Sequence, residues 1–286
     1  MTPDSAVSSA DLVAGTLSRL RARAPLVHNI TNLVVTNTTA NALLAVGASP
    51  AMVEAAEEAA ELARLADALV INLGTMTPDR ARGMQAGAAA ARDAGTPWVL
   101  DPVAVGVLGF RSGIAVALLA HRPQAIRGNA SEILALEALC SQTRAASGRG
   151  VDSAHAAEAA LQAARRLARR TGAAVTVSGA TDLVTDGARV VAIQNGHPMM
   201  PRVTGLGCTA TALIGACLAV EPDPLLASVH GMVLIGLAGE LAAERARGPG
   251  SLQMELLDAL YRLDGDTIRA RARLHLLPCP AASENV

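Results

Sequence analysis

Two glycines flank a short turn that runs into a long apolar stretch, and this segment has the residue types for anion chemistry. It contains Gly205 and Gly207, with Cys208 directly after them and no proline in the apolar stretch that follows. The pattern predicts a loop that opens a buried helix. The first N–H groups of a helix lack partners within it, and the helix dipole adds positive charge, so such a loop suits a phosphate. The alternative interpretation is a close contact between helix and sheet.

Cys208 stands at the mouth of this predicted anion site. A helix N-terminus lowers the pKa of a thiol from about 8.5, so a thiolate could accept the proton of an alcohol near neutral pH. Bound phosphates would oppose that ionisation, in which case the thiol only orients the hydroxyl. A third interpretation is an ordinary buried thiol that fills the start of the helix. The sequence leaves all three open.

Oxygen ligands for a hard cation follow two predicted strands. Asp101 ends one strand, and Asn129 and Glu132 follow the next. Mg²⁺ takes oxygen ligands, often through water, and normally comes with substrate phosphates. Asn129 followed three residues later by Glu132 is equally the pattern of a helix capping box. Arg127, at the end of the same strand, is a candidate phosphate clamp.

A predicted alternation of strands and helices positions these residues. The strands are apolar runs without a period of two, which indicates an α/β fold with a parallel sheet covered on both faces. No linker divides the chain, so we expect one domain over 1–286, with loose termini at 1–10 and 278–286. Ligands bind at the carboxyl ends of such strands. One cleft is therefore expected to gather the polar strand ends His28-Asn29, Asn72-Leu-Gly-Thr75, Asp101-Pro102, Arg127-Gly-Asn129 and Ser178-Gly179.

Other segments complete the predicted elements. The strongest turn signal is Asp186-Gly187, which predicts a hairpin. The pattern also predicts a short helix at 115–120 and apolar helices at 208–219, 224–245 and roughly 252–274. The Thr- and Asn-rich segment that starts at Asn29 either supplies caps and turns or lines a pocket for a small ligand.

The composition excludes several classes of protein. The chain of 286 residues has no lysine, so all 24 cationic side chains are arginine, and a Walker A lysine, a Schiff-base lysine and a lysine-anchored pyridoxal cofactor are ruled out. A net charge of −1 and single Trp, Tyr and Phe residues argue against nucleic acid. The four cysteines form no Cys-x-x-Cys pair. We expect a cytoplasmic protein, because no signal peptide is recognisable and no segment reaches membrane-spanning length.

Several motifs together resemble those of the hydroxyethylthiazole kinases of thiamin salvage, which belong to the ribokinase-like kinases. The resemblance covers nearly the whole chain and is specific. It implies a three-layer α/β/α fold with a mostly parallel central sheet. The motifs are Pro25-Leu-Val-His-Asn-Ile-Thr-Asn32, Gly47-Ala-Ser-Pro-Ala-Met52, Ile71-Asn-Leu-Gly-Thr75, Asp101-Pro-Val-Ala-Val-Gly106, Arg127-Gly-Asn-Ala-Ser-Glu132 and Thr204-Gly-Leu-Gly-Cys-Thr209.

The resemblance implies ATP- and Mg²⁺-dependent phosphorylation of the alcohol of 4-methyl-5-(2-hydroxyethyl)thiazole. It implies a homotrimer with thiazole pockets between subunits. By the same resemblance, ATP contacts Arg127 and Ser178, the thiazole contacts Met52 and the Gly205 loop, and Mg²⁺ lies near Asp101 and Glu132. Asn29 is expected on the substrate side, and Cys208, Gly205 and Gly207 at the site of transfer.

The chain departs from the wider superfamily at the expected base. Relatives carry Asp after the second glycine, where this chain has Cys208. Ser178 stands where many members have Thr, which keeps the hydroxyl. Two other functions stay open: a ribokinase-like hydrate dehydratase, although those enzymes carry the Gly-x-Gly-Asp pattern that is missing here, and a non-catalytic sensor of the thiazole or a nucleotide.

Overall fold

The structure, a computed structural model, describes residues 9–142 and 153–278. Within them a nine-stranded sheet runs in the order β2-β1-β3-β4-β5-β6-β7-β8-β9. Neighbours from β2 to β6 are parallel and those from β6 to β9 are antiparallel. The strands are Leu26–Ile30 (β1), Ser49–Ala51 (β2), Ala68–Asn72 (β3), Trp98–Asp101 (β4), Ala125–Asn129 (β5), Ala174–Ser178 (β6), Asp182–Thr185 (β7), Val190–Ile193 (β8) and Leu274–Leu276 (β9).

Helices cover both faces of this sheet, so the predicted α/β/α fold with a mostly parallel sheet is confirmed. A 3₁₀ turn at Met200–Arg202 precedes the eighth α-helix. The helices are Ala10–Arg23 (α1), Thr36–Val46 (α2), Ala56–Leu65 (α3), Pro78–Ala94 (α4), Gly109–Leu119 (α5), Ala130–Ser141 (α6), Ser153–Thr171 (α7), Leu206–Leu218 (α8), Pro224–Ala243 (α9), Pro249–Arg262 (α10) and Gly265–Arg271 (α11).

The core is split into two layers because successive strand residues point to opposite faces. In β3, Val70 belongs to the cluster that contains α8 and α9, whereas Leu69 and Ile71 belong to the cluster with α4 and α7. Both faces of the central strands are buried, which explains why their sequences are uniformly apolar. The predicted loose termini lie almost entirely outside the described residues, and the single domain stays a prediction.

The hairpin prediction is confirmed, but the helix predicted at roughly 252–274 is wrong. The chain forms α10 and α11 there and ends in β9, which pairs antiparallel with β8. Asp264 interrupts the helix because its carboxylate caps α11 by accepting from the N–H of Thr267 at 2.8 Å. The N–H of Arg273 then donates to Asn195 Oδ1 at 2.8 Å, which ties the last segment to the sheet. Pairing with a distant strand overrides the local helical pattern.

Two further helix predictions need correction. The helix predicted at 115–120 begins at Gly109, because the N–H and hydroxyl of Ser112 both donate to the carbonyl of Leu108. α9 is long and apolar enough to cross a membrane by length and composition, contrary to our expectation, and it is the one such helix in the described part of the chain. In the structure 83% of its apolar window is buried within the protein. It packs closely on α8, since a Cβ at Gly231 would lie 2.8 Å from Ile214 Cα.

His230, buried in α9, is expected to make stability sensitive to acid. Its Nδ1 lies 2.8 Å from the buried Thr16 Oγ1, and burial, with the nearby Arg19 charge, lowers its pKa to about 4. The unfolded chain, with a pKa near 6.5, binds the proton first. The stability is therefore fully present above pH 6.5 and falls as the pH drops towards 4, by roughly 3 kcal/mol. Denaturant unfolding at pH 7 and pH 4.5 should show a smaller acid loss for His230→Gln than for wild type; equal losses would contradict this assignment.

Candidate active site

A pocket of about 930 Å³ lies at the carboxyl ends of β5 and β6, beside the N-terminus of α8. Four residues expected at the ATP and transfer sites line it together: Arg127, Ser178, Gly205 and Gly207. The order of the sheet explains this arrangement, because β5 and β6 are parallel neighbours whose ends meet at one edge. The loop before α8 closes the same edge, so backbone N–H groups and one guanidinium share the pocket.

Each glycine of the loop has its own structural reason. Gly205 is the residue before α8 and has a φ of 83°, in the left-handed region that favours glycine. A Cβ at Gly205 would also lie 2.4 Å from Val35 Cγ1. A Cβ at Gly207 would lie 2.6 Å from Arg127 Nη1. Close packing of the loop is therefore observed, and the missing side chain at Gly207 lets the guanidinium approach the helix N-terminus; binding of an anion there stays a prediction.

Arg127 is held in place and still has donors to spare. The half-buried guanidinium donates from Nη2 to Ser178 Oγ at 2.8 Å. Its Nε is buried and has no hydrogen-bond partner among the described residues. A guanidinium fixed in this way at a helix N-terminus can bind phosphate oxygens with little reorganisation.

A buried polar network lies behind the pocket, and Asp101 is its centre. Oδ2 of Asp101 accepts from Asn72 Nδ2 and from Thr211 Oγ1, both at 2.8 Å, and the residue is 1% exposed. Burial raises the pKa of this carboxyl to about 6; the Arg127 charge and the two hydrogen bonds act in the opposite direction, and Glu132 adds to the rise. Asp101 is thus mostly ionised at neutral pH, and a nearby cation would stabilise that charge.

Glu132 and Asn129 form the capping box that the sequence left as an alternative to metal binding. Asn129 Oδ1 accepts from the N–H of Glu132 at 3.0 Å, and Glu132 Oε2 accepts from the N–H of Asn129 at 2.9 Å. Glu132 Oε1 also accepts from the N–H of Ala104 at 2.9 Å. Across residues 9–142 and 153–278, no group of three or more His, Cys, Asp or Glu side chains could hold a metal by itself. Asp101 and Glu132 supply only two carboxylates, which fits a Mg²⁺ ion whose other ligands are phosphate oxygens and water.

Cys208 contacts the buried network through Asn32 and does not itself line the pocket, and its expected pKa shift is wrong in direction. Its Sγ accepts from Asn32 Nδ2 at 3.4 Å, and the same nitrogen donates to Asn72 Oδ1 at 2.8 Å. Burial raises the pKa of the thiol, and the Asp101 charge adds to the rise. The two asparagines and Arg127 lower it less than burial raises it. At neutral pH the resting residue is therefore a neutral thiol, and its role in proton transfer stays a prediction.

Two expected substrate residues lie outside this pocket. Asn29 is 1% exposed, and its amide donates to the carbonyl of Val27 at 2.9 Å within its own strand. Its Oδ1 is buried and has no partner among the described residues. Met52 is half-buried and follows the edge strand β2, which lies five strands from β6 in the sheet. Met52 is not among the residues that line this pocket.

Sequence reasoning missed Asp182, which lines the pocket at the start of β7. Its Oδ1 accepts from the N–H of Gly179 at 2.9 Å and so fixes the turn after Ser178. Burial raises the pKa of Asp182 to about 6, against the opposing charge of Arg127. The signal in the sequence is an acidic residue three positions after Gly179, the glycine that follows the predicted strand.

Comparison with solved structures identifies the architecture of the fold. The fold is similar to that of pyridoxal kinase from Staphylococcus aureus in a complex described as containing AMP-PCP and pyridoxal, with a TM-score of 0.60, 16% identity, and coverage of 88% of this chain and 98% of that one. At that identity the likeness concerns the fold alone. It agrees with the ribokinase-like architecture that the motifs implied.

Closer relatives identify the family. The model of the hydroxyethylthiazole kinase family matches residues 17–266. The hydroxyethylthiazole kinase of Granulibacter bethesdensis is 65% identical over 90% of this chain and 92% of its own length, and that of Cereibacter sphaeroides is 53% identical over 90% and 96%. The structure of the Pyrococcus horikoshii hydroxyethylthiazole kinase has a TM-score of 0.86 at 42% identity and covers 93% of this chain and 99% of that one. The chain belongs to the hydroxyethylthiazole kinase family and is a phosphotransferase.

Proposed function

We propose that the protein transfers the γ-phosphoryl group of ATP to the hydroxyl of 4-methyl-5-(2-hydroxyethyl)thiazole in thiamin salvage in the cytoplasm. The observation that carries this proposal is the Arg127 guanidinium, held by Ser178 and seated against the N-terminus of α8 at Gly207. This is an anion site without lysine. Phosphoryl transfer needs mainly positioning and charge neutralisation, which a helix N-terminus and an arginine supply.

The residues have separate tasks in this proposal. The N–H groups at the start of α8 and the guanidinium of Arg127 bind the phosphates. Asp101 and Glu132 are the residues that would hold Mg²⁺: Asn72 and Thr211 occupy only one oxygen of Asp101, whereas both oxygens of Glu132 already accept backbone N–H bonds. The bound ion would neutralise phosphate charge. Cys208 accepts a hydrogen bond from the alcohol and, once ionised to the thiolate, takes its proton as the phosphoryl group passes from ATP to the alcohol oxygen and ADP leaves.

Product analysis distinguishes this function from its two rivals. Wild-type protein with ATP, Mg²⁺ and the thiazole alcohol should yield ADP and a thiazole phosphate ester, separable by chromatography. A hydrate dehydratase would consume ATP only with a hydrated dinucleotide, and a sensor would bind the thiazole or ATP without turnover. The match to the kinase family over residues 17–266 favours the first outcome.

Replacing Arg127 with Ala is expected to weaken the use of ATP by roughly ten- to a hundredfold, the usual effect of losing one charge-assisted phosphate contact. The loss should appear in kcat/KM for ATP, measured at saturating thiazole. Arg82→Ala is the matched control, because its side chain is 65% exposed and pairs with Asp79 on the same helix. A folded Arg127→Ala protein with unchanged ATP kinetics would remove Arg127 from the phosphate site.

We also propose a homotrimer in which Met52 of one subunit completes the thiazole pocket at the Gly205 loop of a neighbour. Its support is that Met52 does not line the pocket of a single subunit, together with exposed apolar side chains on α2, on the segment before it and on α10. These are Leu33, Val34, Leu44, Met254 and Tyr261. Light scattering at assay concentration should give the mass of three chains, and an active monomer at that concentration would rule out the shared pocket.

A further inference from the structure

A buried arginine outside the candidate active site joins three loops. Arg80 lies in the first turn of α4 and is 5% exposed. Its Nη1 donates to Thr75 Oγ1 at 2.9 Å, while its Nη2 donates to the carbonyl of Thr31 at 2.5 Å and forms an ion pair with Glu54. Thr31, Glu54 and Thr75 follow β1, β2 and β3, which are neighbours in the sheet. One guanidinium therefore connects the carboxyl ends of three adjacent strands.

The loop that contains Met52 is fixed from two sides. His28 Nε2 lies 2.7 Å from the carbonyl oxygen of Val53, on the sheet side. On the helix side, the carbonyl of Glu54 packs against Gly83 of α4, where a Cβ would lie only 2.1 Å from that oxygen. The Glu54 carboxylate then meets Arg80. The backbone directly after Met52 is thus held by contacts that do not involve Met52 itself.

The other two loops lead towards Cys208. Thr75 Oγ1 also accepts from the N–H of Leu33 at 2.9 Å, so the first and third loops are joined through one hydroxyl. Gly74 packs on Asn32, where a Cβ would come within 2.6 Å of the Asn32 side chain. Asn32 in turn donates to Cys208 Sγ. Arg80 therefore sits between the Met52 loop and the residues that orient the thiol.

The chemistry of arginine suits this arrangement. A planar guanidinium offers five donors in fixed directions, so it can bind a carbonyl, a hydroxyl and a carboxylate at once, which a lysine ammonium on a flexible stem does poorly. The Glu54 side chain is 48% exposed, whereas that of Arg80 is 6% exposed. The ion pair could form at the surface, so it does not explain why Arg80 is buried. The burial follows from the two additional bonds to Thr31 and Thr75.

We propose that Arg80 is a positioning residue that fixes the Met52 loop relative to the Asn32 and Thr75 loops and thereby sets the affinity for the thiazole without touching it. The inference rests on the proposed function for the identity of that substrate and for the place of Met52 in the thiazole pocket. Arg127 and Ser178 lie on β5 and β6, beyond β4, and share no hydrogen bond with Arg80. Loss of Arg80 should therefore affect the thiazole side and leave the ATP side intact.

Steady-state kinetics of Arg80→Gln separate this role from a general effect on folding. We expect KM for the thiazole to rise about tenfold or more, since small displacements of positioning groups have large effects, while KM for ATP stays within about twofold. Arg80→Lys should fall between Arg80→Gln and wild type because one ammonium cannot reach all three partners. Arg82→Gln, two residues along the same helix and exposed, should behave as wild type. Equal changes in both KM values, or none, would overturn the proposal.

Hydrogen exchange gives a readout that does not depend on kinase activity. In Arg80→Gln the amides at 31–34, 53–55 and 73–76 should exchange faster together, while those at 127–129 and 176–179 keep their protection. Faster exchange confined to α4 would contradict the proposed positioning role of Arg80. If Arg80→Gln does not fold, Glu54→Gln is the second test, because it changes a half-exposed side chain and removes one partner of Arg80. We expect this variant to raise KM for the thiazole several-fold and to leave KM for ATP unchanged. An unchanged KM for the thiazole would overturn the proposal. Absence of thiazole phosphorylation by wild type would refute the proposed function, whereas the exchange pattern would still decide the role of Arg80.

Discussion

Asp101→Asn is expected to lower kcat by about 10²-fold or more, the range for removing a group that stabilises charge in a reaction site. Asn keeps the shape of Asp and retains an oxygen that can accept from Asn72 and Thr211, so the buried network should persist. What disappears is the negative charge that we propose holds Mg²⁺. The Mg²⁺ concentration for half-maximal activity should rise as well.

Unfolding of this variant provides the control. Burial raises the pKa of Asp101 to about 6, so the native fold carries the charge at a cost, and removing it should leave the unfolding temperature unchanged or higher. A variant that is as active as wild type at every Mg²⁺ concentration would show that Asp101 is only a structural acceptor. A variant that unfolds at a lower temperature would mean that the loss of activity reflects a damaged network.

Cys208→Ala should lose roughly 10²-fold or less in kcat, because a general base is a modest contribution when the transferring phosphoryl group is loosely bonded. Cys208→Asp should stay clearly active, since it places an acceptor at the same point. The hypothesis that Cys208 accepts the proton is wrong if the Asp variant is as poor as the Ala variant while both bind the thiazole like wild type.

The raised pKa of the Cys208 thiol gives this hypothesis a second test. If the thiolate is the acceptor, wild-type activity should still rise with pH in the alkaline range, because more of the thiol ionises there. A carboxylate is ionised at much lower pH, so the Asp variant should reach its plateau earlier. The pH profile of kcat/KM for the thiazole measures both, and superimposable profiles would show that the thiol only orients the hydroxyl.

The sequence predicted the parts of the fold that local chemistry determines. Apolar runs ending in polar residues identified the parallel strands, and Asp186-Gly187 identified the hairpin between β7 and β8. The strand-end rule correctly brought Arg127 and Ser178 to one edge, where they meet the glycine loop. These features depend on patterns within a few residues and on one general rule about parallel sheets, which is why they were accessible.

The errors arose where contacts between distant parts of the chain determine the structure. β9 forms because Leu274–Leu276 completes the sheet edge beside β8, which no local pattern reveals. The pKa of Cys208 depends on how deeply the helix start is buried, and spacing carries no information on burial. Arg80 appears in the sequence as an ordinary helix residue, since its partners at Thr31 and Glu54 are brought to it only by the fold.

Phosphorylation of the thiazole alcohol is tested most directly by following the γ-phosphoryl group of ATP. Wild-type protein is incubated with Mg²⁺, the thiazole alcohol and ATP whose γ-phosphoryl group carries ¹⁸O at its non-bridging oxygens, and the thiazole is then examined by mass spectrometry. We expect a thiazole phosphate that contains the labelled phosphoryl oxygens and the unlabelled oxygen of the alcohol, with no product in the absence of either substrate. Label recovered only in inorganic phosphate, or a thiazole of unchanged mass, would contradict it.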